Sequence, residues 1–294
     1  MKILPEKIIC AIDFSNYTDT ILSFSVALCK KYNAKLFLIH VTVDVKTLLE
    51  HNETALDVEA LQNLNIRNAQ ELLENIVKEL ATENEIIIRQ GTPADEISRL
   101  ASEQKADMVI TATHGKSGFK RFLLGSVTEK LMKTLHCPLL VLPMQGNDVR
   151  SSAGFEMKLK KILVGCDFSP DSKLAVDYGL SLAQEFQAEL YLSHVIKPSL
   201  YKDEREGFNE FRSRLERQLN NMVPDVCRDW CTAKTTLLDG EPYIALLNCA
   251  KEQDIDMVVL GIRGHTLLEK LLVGSTTDRL IRHSHVPVLA VRQI

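Results

Sequence analysis

The chain has 294 residues, 45% of them hydrophobic and 25% charged, and a net charge of −4. Those values fit a globular protein of about two domains at ~100–200 residues each, and the negative balance with no Lys/Arg tract gives nucleic acid no footing. No apolar run approaches the ~20 residues of a membrane span, and the start, Met1-Lys2-Ile3-Leu4-Pro5-Glu6, lacks a secretory apolar core, so a cytoplasmic protein without a membrane partner is expected.

Ile8-Ile9-Cys10-Ala11-Ile12 is short, apolar throughout and ended by Asp13, which predicts a buried strand. Residues 18–32 set Ile21, Leu22, Phe24, Val26, Leu28 and Cys29 among polar positions, as a helix lying on a sheet does. Lys35 to Val43 predicts the next strand. Residues 59–82 predict a long helix with Leu61, Leu64, Leu72, Leu73, Ile76, Val77 and Leu80 on one broad face. After the strand Ile86-Ile87-Ile88, Thr92-Pro93-Ala94-Asp95-Glu96 is a helix start, with an N-cap hydroxyl, a first-position proline and acid in the first turn. Met108 to Thr111 predicts a strand, Ser126 to Thr134 a helix, and Leu139 to Leu142 a last strand.

The series is then written again. Residues 7–41 return at 161–195 and residues 106–142 at 255–291, with offsets of 154 and 149, so the second copy is five residues shorter between the two blocks. Ser169-Pro170-Asp171 caps its first helix, and Glu241-Pro242 opens another after Gly240. The boundaries read as a first domain at 1–145, a polar linker at 146–157 and a second domain at 158–294. A linker that short puts the halves in contact. Strands and helices in alternation predict parallel sheets with helices on both faces, and ligands collect beyond the strand C-termini in such sheets. Asp13 and the loop from Ala112 to Gly125 both leave strand ends there.

Gly115-Lys116-Ser117 invites a phosphate-loop reading, but that pattern needs glycine at position 110, which is Ile. What remains is Gly115-x-x-Gly118 followed by Gly125-Ser126, and Gly261-x-x-Gly264 followed by Gly274-Ser275. Free N–H groups at a helix start with glycines beside them make an anion site; the same residues also suit tight turns and helix caps with no ligand. Asp13 and Asp167 recur, and each needs a hydrogen-bonding partner if buried, whether a ligand or the following helix. His40 and His194 recur inside apolar strands and read as satisfied core histidines, while His283 and His285 suit a solvated helix end. The seven cysteines hold no Cys-x-x-Cys pair and read as buried thiols of a reducing compartment. Cys227 and Cys231 are spaced as two metal ligands are, but no second pair joins them.

These blocks together resemble the universal stress protein family, in tandem and over nearly the whole chain. Its nucleotide-binding branch carries Gly-x2-Gly-x9-Gly-[Ser/Thr] after the fourth strand. The second copy has it as Gly261, Gly264, Gly274 and Ser275, while the first reads Ala112, Gly115, Gly125 and Ser126, with alanine where the first glycine belongs. The resemblance implies an α/β fold of two tandem, doubly wound, parallel five-stranded sheets, Rossmann-like and similar to the adenine nucleotide α-hydrolases. In the family the last strand pairs subunits, so Leu139–Leu142 and Val288–Val291 are expected to pair within this chain as an intramolecular pseudo-dimer.

The resemblance also implies a site in each half. Asp13 and Asp167 would bond ribose hydroxyls, beside the strand-end backbone of Ala11 and Ile12 or Gly165 and Cys166. The backbone at Val41 and Val195 would meet adenine. Gly115, Gly118, Gly125, Ser126 and Val127 would cradle phosphates in one half, and Gly264, Gly274, Ser275 and Thr276 in the other. Positive charge would come from Lys116, in the loop that also holds His114, and from Arg263 or His265. The expected function is a regulatory stress-response protein binding ATP or AMP, with or without magnesium, at up to two sites. Occupancy would bias a surface read by an unidentified protein partner, and a homodimer of such chains is compatible with this. No nucleophile, base and orienting acid assemble in the sequence, so no enzyme is expected; a nucleotide-free adaptor or dimerisation module and a weak ATPase are the alternatives.

Overall fold

Short apolar runs become strands here because both of their faces are covered. The computed structural model describes residues 3–44, 58–78, 80, 82–113, 124–143, 157–197, 205–264 and 273–293. In the first half these form β1 (Lys7–Ala11), α1 (Thr18–Tyr32), β2 (Lys35–Thr42), α2 (Val58–Val77), β3 (Asn84–Gln90), α3 (Pro93–Gln104), β4 (Met108–Ala112), α4 (Ser126–Thr134) and β5 (Leu139–Leu142). The second half gives β6 (Lys161–Gly165), α5 (Pro170–Phe186), β7 (Glu189–Ile196), α6 (Arg205–Asn220), the single turn α7 (Asp225–Arg228), β8 (Ala233–Asp239), α8 (Pro242–Glu252), β9 (Met257–Gly261), α9 (Ser275–His283) and β10 (Val288–Val291). His114, Gly115, Lys116, Gly118, His265 and residues 146–156 of the expected linker lie outside the described residues.

The long helix expected at 59–82 stops at Val77, where Leu80 N–H donates to the Val77 carbonyl in a three-residue turn. Its broad apolar face also divides. Leu73 is buried, whereas Leu64 and Leu72 stay about half exposed.

All ten strands lie in one sheet, in the order β3-β2-β1-β4-β5-β10-β9-β6-β7-β8. Each half is parallel throughout, with Cys10 opposite both Leu38 and Ile110, and Val164 opposite both Leu192 and Val259. The seam alone is antiparallel, pairing Leu139 with Ala290, Leu140 with Leu289 and Val141 with Val288. The strand C-termini of the two halves therefore lie at opposite ends of the sheet.

Alternation along the strands builds two apolar layers, one on each face. Ile8, Cys10, Leu38, Ile110, Leu140, Leu289, Val259 and Val164 belong to one, with residues of α1, α2, α5 and α6. Ile9, Phe37, Val109, Val141, Val288, Val258 and Leu163 belong to the other, with residues of α3, α4, α8 and α9. Both layers run unbroken across the seam, so neither half has a core to itself. All seven cysteines are free and six are buried. Burial pushes the thiols of Cys10, Cys29 and Cys137 up to about 12.

Polar contacts reinforce the seam. Ser181 Oγ accepts from Ile3 N at 2.7 Å and donates to the Ile3 carbonyl at 3.1 Å. Lys31 lies 3.7 Å from Glu185, and the rings of Tyr32 and Phe186 meet edge to face. Arg292, just past β10, donates to the carbonyls of Met132 and Lys133 at the C-terminal end of α4. That cation satisfies carbonyls a helix end leaves open.

Shared layers predict shared unfolding. Leu100→Ala removes a fully buried side chain of α3 and should cost ~2–5 kcal/mol. The sole tryptophan, Trp230, stands in the other half. Its fluorescence transition in urea should move to lower denaturant together with the far-UV circular dichroism. A Trp230 transition left in place would mean that the halves unfold independently.

Candidate functional site

Asp-Phe-Ser ends the first strand of each half, and both copies fold alike. Asp13 Oδ1 accepts from Ser15 N, and Asp167 Oδ1 from Ser169 N, each at 3.0 Å, so one carboxylate oxygen turns the chain away from the sheet. Phe14 and Phe168 are forced to positive φ, 56° and 66°, a conformation unfavourable for a bulky residue. A histidine from the neighbouring strand braces each one. His40 Nδ1 donates to the Ile12 carbonyl and His194 Nδ1 to the Cys166 carbonyl, both at 2.7 Å. The histidine rings lie 4.5 Å and 4.7 Å from those of Phe14 and Phe168. Both histidines thus carry structural hydrogen bonds, with the proton on Nδ1 facing a carbonyl. They are half-buried, however, and not in the core as expected, and His40 lines the first-half cavity.

The fourth strand of each half also ends on a repeated geometry. Gly125 N donates to the Thr113 carbonyl at 2.7 Å and Gly274 N to the Ile262 carbonyl at 2.8 Å. Both glycines sit in extended conformation before a helix that no side chain caps. The first N–H groups of such helices have no partner within the helix. Thr128 Oγ1 donates to the Ala112 carbonyl at 2.8 Å and Thr277 Oγ1 to that of Gly261 at 2.7 Å, which pins each helix to its strand. Sequence reasoning passed over these threonines, although they recur at the same offset of 149 as the glycines before them.

In the first half these parts surround a cavity of about 610 Å³, inside the ~300–1,000 Å³ range of small-molecule sites. Ala11, Ile12, Asp13, Val41, Ala112, Gly125, Ser126 and Val127, all expected from the sequence, line it together. Asn65, Asn68, Ala69 and Leu72 of α2, with Thr111 and Thr128, are also part of its wall. The α2 residues and Thr111 were not anticipated, because no repeat signal marks those positions. Two apolar side chains at its edge, Val43 and Leu72, are 49% and 50% exposed. Among the described residues, no group of three His, Cys, Asp or Glu side chains stands ready to hold a metal.

The second half keeps the backbone plan but fills it differently. Gly165 and Leu260 stand where Ala11 and Thr111 line the first cavity, and Leu260 Cδ2 lies 2.5 Å from where a Cβ at 165 would stand. Arg263 is tied down. Its Nε donates to Asp171 Oδ2 and its Nη2 to Asp171 Oδ1, both at 2.9 Å, and its N–H to Oδ2 at 3.0 Å. Gln293 N adds a fourth bond to the same carboxylate at 2.9 Å. The bonds to Asp171 raise the Arg263 pKa further. Gly261 has a packing reason to be glycine, since a Cβ there would stand 2.7 Å from Asp171 C and Ser172 N in the first turn of α5. A Cβ on Gly264 would come within 2.8 Å of Asp167 Oδ2, and one on Gly274 within 3.0 Å of the Ile262 carbonyl. Val195 keeps its place in β7, Cys166 and Asp167 follow β6, and Ser275 and Thr276 open α9.

The Ala112/Gly261 difference follows from where the adjacent helix begins. Ser169 Oγ accepts from Ser172 N at 3.2 Å and Pro170 takes the first helical position, so α5 starts at once. The matching first-half residues are Ser15, Asn16 and Tyr17, and α1 starts only at Thr18. Without that early turn, an alanine is accommodated at 112.

A family model described as the universal stress protein family matches residues 5–143 and again residues 158–292. Universal stress protein MJ0531 of Methanocaldococcus jannaschii is 34% identical over 140 residues, covering 46% of this chain and 82% of its own. A universal stress protein of Mycolicibacterium smegmatis is 24% identical over 297 residues, 97% of this chain and 96% of its own. Among solved structures, a universal stress protein from Archaeoglobus fulgidus aligns with a TM-score of 0.70 at 20% identity, over 98% of this chain and 96% of that one. That likeness is one of fold. The chain belongs to the universal stress protein family.

The packing of the second half is open to a direct test by urea denaturation. Gly261→Ala pushes against helix backbone and should cost ~1–3 kcal/mol, whereas Ala112→Gly should cost only ~0.5–1 kcal/mol. Asp171→Ala removes the buried acceptor of Arg263 and Gln293 N and should cost ~1–3 kcal/mol. Equal costs at 112 and 261 would contradict the role given to the early turn of α5.

Proposed function

We propose that this universal stress protein binds one adenine nucleotide per chain, in the first-half cavity, and acts by occupancy rather than turnover. The observation that carries the reading is the meeting, around one cavity of about 610 Å³, of every described first-half residue singled out from the sequence. A flat apolar base suits the wall of Ile39, Val41, Ala69 and Leu72. Asp13 lines the same cavity, and a carboxylate is of the type that accepts from ribose hydroxyls. The N-terminal amides of Ser126, Val127 and Thr128, uncapped by any side chain, suit phosphate oxygens. ATP and AMP both fit this division of labour, and magnesium would be carried by the phosphates.

A second site in the other half is the competing reading, favoured by its complete glycine spacing. Leu260 over Gly165, and Arg263 already committed to Asp171, favour one site. A bound nucleotide stabilises the folded chain by about 2.7 kcal/mol at 100-fold excess over Kd. In this reading a cytoplasmic partner in the stress response senses that occupancy.

Denatured protein should release adenine nucleotide into the supernatant, and the stripped chain should titrate calorimetrically with one ATP or AMP. Gly125→Val should abolish that binding and Gly274→Val should leave it intact. Two nucleotides per chain, one lost in Gly274→Val, would establish the two-site reading. Neither retention nor titration would sink both, and rapid ATP turnover by the protein alone would make it an enzyme.

A further inference from the structure

Helix α2 brings two amides to the cavity, and nothing in the glycine pattern accounts for them. Asn65, Asn68, Ala69 and Leu72 fall on a single helical stripe, at spacings of three and four residues, and all four line the cavity. The helix is held in this rotation by its buried side. Ala69 and Leu73 pack inward, and Gln62 Nε2 donates to Thr42 Oγ1 at 3.1 Å, which itself reaches the Arg89 carbonyl. Gln62 and Thr42 are both buried, so the bond fixes α2 against the C-terminal end of β2. That end supplies Ile39, His40, Val41, Thr42 and Val43 to the same cavity. The two asparagines thus border a slot whose flanks are apolar. Among the described residues, neither Asn65 nor Asn68 has a hydrogen-bond partner of its own.

We infer that Asn65 and Asn68 read the edge of the bound base and select adenine over guanine. The inference rests on the nucleotide reading above. A carboxamide offers one donor and one acceptor side by side, and adenine presents the complement, the N6 amine beside the N7 acceptor. Guanine has two acceptors on that edge, O6 and N7, and sets one of them against the amide oxygen. The apolar stripe residues then hold the ring plane while the amides fix which ring is accepted.

The test uses the full chain, stripped of nucleotide, with adenosine, ATP, GTP and inorganic tripolyphosphate as probes in calorimetric titration. Both asparagines lie on the exposed side of a helix, so N65A/N68A should fold, alanine being the better helix former. The wild type should prefer ATP to GTP by about tenfold or more, the worth of roughly one well-made hydrogen bond. The double variant should lose that preference and bind adenosine about tenfold more weakly, while tripolyphosphate affinity stays as it was. An unchanged ATP/GTP ratio in the variant would overturn base reading and leave nucleotide binding standing. A wild type that binds none of the probes would overturn both. Equal weakening toward tripolyphosphate would show that α2 supports the cavity as a whole, which also overturns base reading.

Discussion

A strand that is apolar on both faces cannot be left with a bare edge, and that constraint organises this molecule. β5 and β10 are four residues long and buried throughout. Each would expose a row of unpaired amides if its half stood alone, and each closes the other's edge by antiparallel pairing. Joining two sheets there also joins the layers on either side, so the helices of one half pack into the same apolar continuum as those of the other. The loops at the strand ends then hang on a frame ten strands wide.

Much of this was legible because the signals are local and doubled. The strands are short apolar runs ended by Asp13 and Asp167, the caps at Pro93, Pro170 and Pro242 are where helices start, and the repeat itself called for a two-part molecule. What escaped the sequence depends on side chains meeting across it. The apolar stripe of α2 gave no sign that Leu72 would border a cavity and not the core. Thr128 and Thr277 looked ordinary until their hydroxyls met the carbonyls at the end of the fourth strand. The glycine pattern needed the most reinterpretation. Gly261, which completes it in the second half, has the first turn of α5 against it, while Ala112 of the first half lines a cavity of about 610 Å³.

The two copies have kept one backbone and parted in side chains. Phe14 and Phe168 hold the same unfavourable φ, His40 and His194 the same hydrogen bond, and Gly125 and Gly274 the same turn. Around these fixed points, Thr111 has become Leu260, Tyr17 has become Asp171 and Ile39 has become Ser193, relative to the first copy. The shared geometry sets the strand ends in the same way in both halves, and the side chains packed around it are what differ.

Arg292 shows what fusion into one chain permits. It grips the last turn of α4, whose first turn faces the cavity at the other end, and the matching residue of the first copy is Pro143, which has no such reach. In a dimer of identical subunits a two-fold axis would return every such contact, so that each partner would hold and be held alike. A fused pair is released from that reciprocity. The contact Arg292 makes with the end of α4 is therefore made in one direction only. Covalent linkage has turned a symmetric handshake into a directed one.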